Sequence, residues 1–145
     1  MANIPPPFRL YVDRLQSSGH AGSREELISE SVPPDFLDVH EKELQFPSPV
    51  SFSGKAYMAG DQVILKLAIE TEAIVPCPVC NEGTTVVVKL GNVLVTMDSK
   101  SVEGGILDLR DVLREEILLA TPQWAECRPE GCPERATLDR LRKPS

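Results

Sequence analysis

Four cysteines, the only ones in a chain of 145 residues, fall in two pairs. The first is Cys77-Pro78-Val79-Cys80 and the second is Cys127-Arg128-Pro129-Glu130-Gly131-Cys132. A C-x2-C spacing suits one metal ion, because a tight turn carries both sulfurs to the same side and lets its N–H groups donate to the thiolates. Pro78 fixes part of that turn, and Asn81 tolerates the left-handed conformation such knuckles adopt after the second ligand. The second pair has the less usual C-x4-C spacing, with Gly131 available to turn the chain. Zinc in structural sites takes four tetrahedral ligands, with sulfur at roughly 2.3 Å. Cys77, Cys80, Cys127 and Cys132 supply four with none missing. A closed set of four thiolates leaves no position for a reacting water, so the reading is a structural Zn2+ site rather than a catalytic one.

Two other readings of the cysteines stand beside it. Cys77-Pro78-Val79-Cys80 resembles the C-P-x-C of glutaredoxins, which would make the pair a redox dithiol. Such motifs stand early in a βαβ unit at a helix N-terminus, where thiolate is stabilised. This pair lies between two β-rich runs, more than halfway along the chain. The third reading is four ordinary reduced thiols. No further constellation carries chemistry. His20 and His40 stand alone in polar segments and read as surface residues. Glu115-Glu116 falls on the polar face of a helix, and no phosphate-binding Gly-rich loop, G-x-S-x-G or H-E-x-x-H is present. No catalytic residue is assigned, and no enzyme activity is expected.

Composition narrows the partners. The net charge is −7 and the isoelectric point about 4.8. That argues against a broad grip on nucleic acid, which needs many Lys and Arg against phosphates; DNA is not an expected partner. Mean hydropathy is −0.13, and no apolar run approaches the ~20 residues of a membrane span, so no membrane partner is expected. The N-terminus has neither a basic n-region nor an apolar h-region and does not read as a signal peptide. The expected location is cytoplasmic, where paired cysteines more often bind metal than form structural disulfides.

These cysteines need elements to position them. Residues 1–7, with three consecutive prolines, read as a mobile lead-in. Residues 8–13 read as a short strand, and residues 16–24 as loop. Ser23 and Glu26 form a capping-box pattern for a short helix that must end before Pro33-Pro34. Residues 25–43 carry seven acids against Lys42 alone, either a solvated face or a docking surface for a basic partner. From Pro49 the period becomes two. Val50, Phe52, Ala56 and Met58, then Val63, Leu65, Leu67, Ile69 and Ala73, alternate with polar residues around Gly60-Asp61, the pattern of a hairpin with one buried face. The second strand runs into Pro76 and the first cysteine pair. A further β-branched run follows, broken at Gly91-Asn92 by either a bulge or a second hairpin turn.

After a polar loop over 98–105, Asp108 stands as the N-cap of an amphipathic helix with Leu109, Val112, Leu113, Ile117 and Ala120 on one face. Its last turn is apolar nearly all round and is expected to be the more buried end. Thr121-Pro122 stops it, and Trp124 is expected to plug the core beside the cysteines. The fold class is α+β: an antiparallel β-sheet, a C-terminal amphipathic helix and a four-cysteine metal site joining the two. One domain is expected over 1–135. Residues 136–145 form a short, disordered tail, part of a basic C-terminus in which four Lys and Arg stand against two acids.

Cys77 and Cys80, then Ile106-Leu107-Asp108-Leu109, then Glu115-Glu116-Ile117-Leu118-Leu119-Ala120 with Pro122, together resemble the YceD family, described as large ribosomal RNA subunit accumulation proteins. The resemblance covers about residues 50–133. Many relatives continue as G-L-C-x-x-C-G at the second cysteine region. Here Gly131-Cys132-Pro133-Glu134 is followed by Arg135 where the next cysteine would fall, which leaves Cys127 and Cys132 for the second half of the site. The resemblance implies a non-enzymatic accessory factor for 23S rRNA accumulation or ribosome assembly. Its implied partner is a ribosomal protein, rRNA or an RNA-processing factor. An acidic protein–protein adaptor that never touches RNA is the alternative within the same biology.

Overall fold

The computed structural model describes residues 4–15, 25–128 and 130–134. Six strands and one helix follow one another as β1 (Arg9–Tyr11), β2 (Glu26–Val32), β3 (Val50–Ala59), β4 (Gln62–Pro76), β5 (Gly83–Asp98), β6 (Ile106–Asp108) and α1 (Leu109–Ala120). Strands β2 to β5 form an antiparallel meander in chain order, and β1 pairs antiparallel with β6 in a second, two-stranded sheet. The α+β class, the antiparallel sheet and the C-terminal helix are as the sequence pattern requires.

The period-two runs become the β3–β4 hairpin, joined by Gly60-Asp61, with Gly60 at φ +62° where a left-handed residue is needed. Along β4 the inward residues Val63, Leu65, Leu67, Ile69, Ala73 and Val75 are all buried. Thr71 is buried in the same row and satisfies its hydroxyl on the Pro49 carbonyl at 3.2 Å. Opposite, β5 turns Val86, Val88 and Leu90 inward and then switches to Val93, Val95 and Met97. The register explains the switch. Leu67 pairs with Val93 and Ile69 with Leu90, so Gly91 and Asn92 together oppose Ala68. The break is therefore a bulge in one long strand, not a second turn, and the extra residue resets which side chains face the core. Gly54 on β3 marks another close approach: a Cβ there would stand 1.8 Å from the Lys66 carbonyl oxygen, so only glycine fits.

The inner face of the meander is closed by α1, by the small sheet and by short 3-10 turns. Phe8 stacks 6.2 Å from Phe52 and meets Phe36 at 4.8 Å, ring centre to ring centre. Leu10, Val12, Leu15 and Leu37 join the same cluster. The β1–β6 pairing sets where the helix starts, since β6 ends at its N-cap. Asp108 Oδ1 accepts the Arg110 N–H at 3.0 Å, and its carboxylate also takes the Arg110 guanidinium, at 2.7 Å on the closer nitrogen. Leu109, Leu113 and Ile117 are the buried stripe, and Arg114 Nε donates to the Leu37 carbonyl at 2.7 Å.

Three sequence expectations are corrected. Residues 26–32 are not a helix but the outer strand β2, paired with β3 from Glu26↔Ala56 to Val32↔Val50. The local capping pattern lost to the free edge of β3, which recovers a ladder of backbone hydrogen bonds from an extended partner; Ser23 itself lies outside the described residues. The last helical turn is not the more buried end: Leu119 is 77% exposed and Ala120 is exposed. Burial at spacing four, through 109, 113 and 117, leaves one narrow stripe, and positions 119 and 120 turn away from it. The short strand expected over 8–13 is only Arg9–Tyr11, flanked by 3-10 turns at Pro6–Phe8 and Val12–Arg14. Within the expected lead-in, Ile4 packs against the core. The loop at 16–24 and the basic tail lie outside the described residues.

Candidate metal centre

The first cysteine pair is the tip of the hairpin between β4 and β5. The Cys77 N–H donates to the Glu82 carbonyl at 2.8 Å and the Asn81 N–H to the Cys77 carbonyl at 2.9 Å. Asn81 holds φ +63°, the left-handed residue the knuckle needs after its second cysteine. Two long strands, locked in register up to Pro76↔Gly83, thus fix Cys77 and Cys80 in space.

The second pair arrives on a strap that leaves α1. The Thr121 hydroxyl and N–H both donate to the Ile117 carbonyl, at 2.6 and 3.0 Å, closing the helix end before Pro122. The Ala125 N–H then donates to the Pro76 carbonyl at 3.2 Å, tying the strap to the end of β4. Gly131, at φ +106°, turns the C-x4-C loop, and its N–H donates to the Arg128 carbonyl at 3.0 Å.

The four Sγ atoms of Cys77, Cys80, Cys127 and Cys132 all lie within 4.8 Å of one another. Cys80 and Cys127 stand 3.8 Å apart, sulfur to sulfur. A tetrahedron with arms of roughly 2.3 Å has edges of about 3.8 Å, so the cluster is close to the size one zinc-sized ion requires. Cys77 and Cys132 are buried, Cys80 and Cys127 half-buried. All four thiols are free of disulfides. The sheet, the helix-borne strap and the cluster form the joint the sequence pattern called for, a site able to hold a metal ion.

Proton affinities in the cluster are unequal. Burial pushes the Cys77 thiol up, but N–H groups of Cys80, Val79 and Cys127 and the Cys80 thiol all donate to it, and together they bring it down to about 6. Cys127 is pushed up to about 12, first because its thiol is hydrogen-bonded to Cys132, then by burial and by Cys80 and Cys77. Cys80 is also raised: the Glu82 N–H pulls its thiol down, and burial with hydrogen bonds to Cys132 and Cys77 outweighs that. Of these three thiols, Cys77 gives up its proton most readily.

Other expected features are placed as follows. His40 is a surface residue, its imidazole 2.6 Å from Asp38; His20 lies outside the described residues. Trp124 does not plug the core. It is 59% exposed, next to Ala125, the strap residue tied to β4. The backbone pairing of Ala125 with Pro76 has no side-chain signature, and nothing in the sequence could have found it. Among the described residues, no helix is long and apolar enough to cross a membrane. Compared with protein-family models, curated proteins and solved structures, the chain matches none.

Proposed function

We propose that this chain is a zinc-stabilised, non-enzymatic accessory factor for large-subunit rRNA accumulation or ribosome assembly. The observation that carries the zinc half is the convergence of four sulfurs from a hairpin tip and a helix-borne strap. All four positions of a tetrahedral ion are filled by protein, so the metal would supply cross-linking rather than Lewis-acid chemistry. Support for the rRNA half is the resemblance to the YceD family. Its three stretches are the hairpin tip of the four-stranded sheet, the β6 strand of the two-stranded sheet that leads into the helix, and the end of that helix.

Metal content tests the first half. Protein purified without added metal is expected to carry about one zinc per chain; less than about a tenth of an equivalent overturns it. Affinity purification from cells, scored for rRNA and for proteins, tests the second half. Recovery of 23S rRNA precursors, a large-subunit protein or an RNA-processing factor is expected. Recovery of a ribosomal protein without RNA, surviving nuclease, would favour the acidic adaptor instead.

One observation favours a redox reading. The lowered Cys77 thiol is the property of an attacking thiolate. Against it stand four converging thiols where a dithiol needs two, and a hairpin tip in place of a helix N-terminus. A metal-free protein that cycles Cys77–Cys80 between dithiol and disulfide would support that reading.

A further inference from the structure

Strand β5 is an edge of the four-stranded sheet, and at 16 residues it is the longest strand. Natural edges are kept short or charged, because a row of unpaired N–H and C=O groups is a template for another strand. Between the Gly83 turn and the bulge, residues 84–90 hold three consecutive valines and a single charge, Lys89. Among the described residues, the backbone of this segment pairs with β4 and with no other strand or loop. Side chains report the same opening. The inward residues of β4 are buried, whereas Val86 and Leu90 on the same face of β5 are only half-buried. On the outer face Val87 is 65% exposed.

We propose that this edge is a homodimer interface, in which residues 84–90 pair antiparallel with the same segment of a second copy. The inference is independent of the function proposed above. Identical edges meet about a two-fold axis perpendicular to the sheet, an isologous contact that closes at two copies. Opposite residues of an antiparallel pair share a face, so the axis must pass through a residue that opposes itself. With Val87 on the axis, all seven residues before the bulge are used, and the bulge ends the pairing on both sides. Val86 then meets Val88 of the second copy, and Thr84 meets Leu90 of the second copy, covering Thr84, Val86 and Leu90, the half-buried members of an inner row in which Val88 is already buried. Lys89 meets Thr85, so no like charges face each other. The segment is therefore complementary to itself, which is the argument for a second copy over a foreign strand. The product is a continuous eight-stranded sheet.

Sedimentation velocity of the full metal-loaded chain, from low-micromolar to millimolar concentration, tests this. A monomer–dimer equilibrium is expected. Val87→Lys places two like charges opposite each other on the axis and should weaken the dimer by about tenfold or more. Thr85→Glu faces Lys89 in both halves and should tighten it several-fold, while Thr85→Lys weakens it. Both side chains are exposed in the single chain, so far-UV circular dichroism should not change. A monomer at millimolar concentration overturns the proposal. So does a dimer whose dissociation constant ignores all three substitutions, since its interface then lies elsewhere.

Discussion

Cys77 and Asp108 are the residues at which local hydrogen bonding decides most. Cys77 is held near 6 against a reference of 9.0 by the N–H groups of its own knuckle and of the strap. A folded-state value below the unfolded one contributes stability above the unfolded value, and that contribution is lost as pH falls toward the folded value. Cys127, pushed up to about 12, works in the opposite sense: its contribution is full below the reference of 9.0 and is lost as pH rises toward about 12. In metal-free protein the Cys80 and Val79 N–H groups, the two largest lowering causes, stay with the hairpin tip, so thermal melts should still show wild type gaining on Cys77→Ser as pH rises toward 9.0. A constant gap between the two proteins over that rise would sink the account. Zinc titration at neutral pH should release protons from Cys80 and Cys127, whose thiols are raised, and calorimetry in buffers of different ionisation enthalpy reads that release. At Asp108 the expectation is a capping loss. Asp108→Ala removes both the bond to the Arg110 N–H and the guanidinium pair, and should cost about 1–2 kcal/mol in denaturant melts. Asp108→Asn keeps an acceptor for the cap and should cost less; equal losses would show that the ion pair, not the cap, carries the effect.

At the scale of elements, the sheet and the strap rest on different supports. The core cluster of Phe52, Leu65, Ile69, Leu113 and their neighbours contains none of the four cysteines. Among the described residues, the strap beyond Thr121 has a single backbone-to-backbone tie to β4, through Ala125. Structural zinc contributes on the order of 10 kcal/mol where it is a small domain's main support; here it would support the strap alone. Chelation, or Cys80→Ser, is therefore expected to disorder residues 121–134 and leave the sheet folded. Amide dispersion should collapse in the strap while β3, β4 and β5 keep theirs, and Trp124, the sole tryptophan, provides a fluorescence reporter on the strap. Global unfolding on chelation would instead make the cluster part of the core. Legibility in the sequence divides along the same line. The β3–β4 hairpin, the capped helix and the knuckle at Asn81 were readable, since alternation, an N-cap aspartate and a left-handed asparagine each have a local cause. Strand β2 was not, because a capping pattern at 23–26 is a weaker force than an unpaired strand edge that lies distant in sequence. The bulge was signalled by Gly91-Asn92, but its identity needed the register of β4.

For the whole molecule, the balance of charge governs which partners are open to it. The chain carries −7. Its described basic side chains are dispersed or already engaged: Arg110 on Asp108, Arg114 on the Leu37 carbonyl, Arg14 over the Tyr11 ring. Lys55 sits 3.4 Å from Glu25. Affinity for a phosphate backbone grows with the number of phosphates neutralised, each releasing counterions, and few such contacts can form at once here. The sequence alone made the same argument from net charge but placed Trp124 inside the protein, where it could not serve a partner. With Trp124 59% exposed and Leu119 77% exposed near the end of the helix and on the strap, apolar anchors of the kind that dominate interface energetics are available. Generic single-stranded RNA should therefore bind weakly at physiological salt, in the micromolar range or above. A specific protein partner recovered from cells should be lost on Trp124→Ala. Charge reversal at Glu25, Glu26 and Glu30 tests the rival surface on β2 and the residue before it, and should matter less. Tight binding of generic RNA with a steep salt dependence would refute the charge argument. A partner that tolerates Trp124→Ala and is lost on reversing those three acids would move the contact from the strap to the sheet edge.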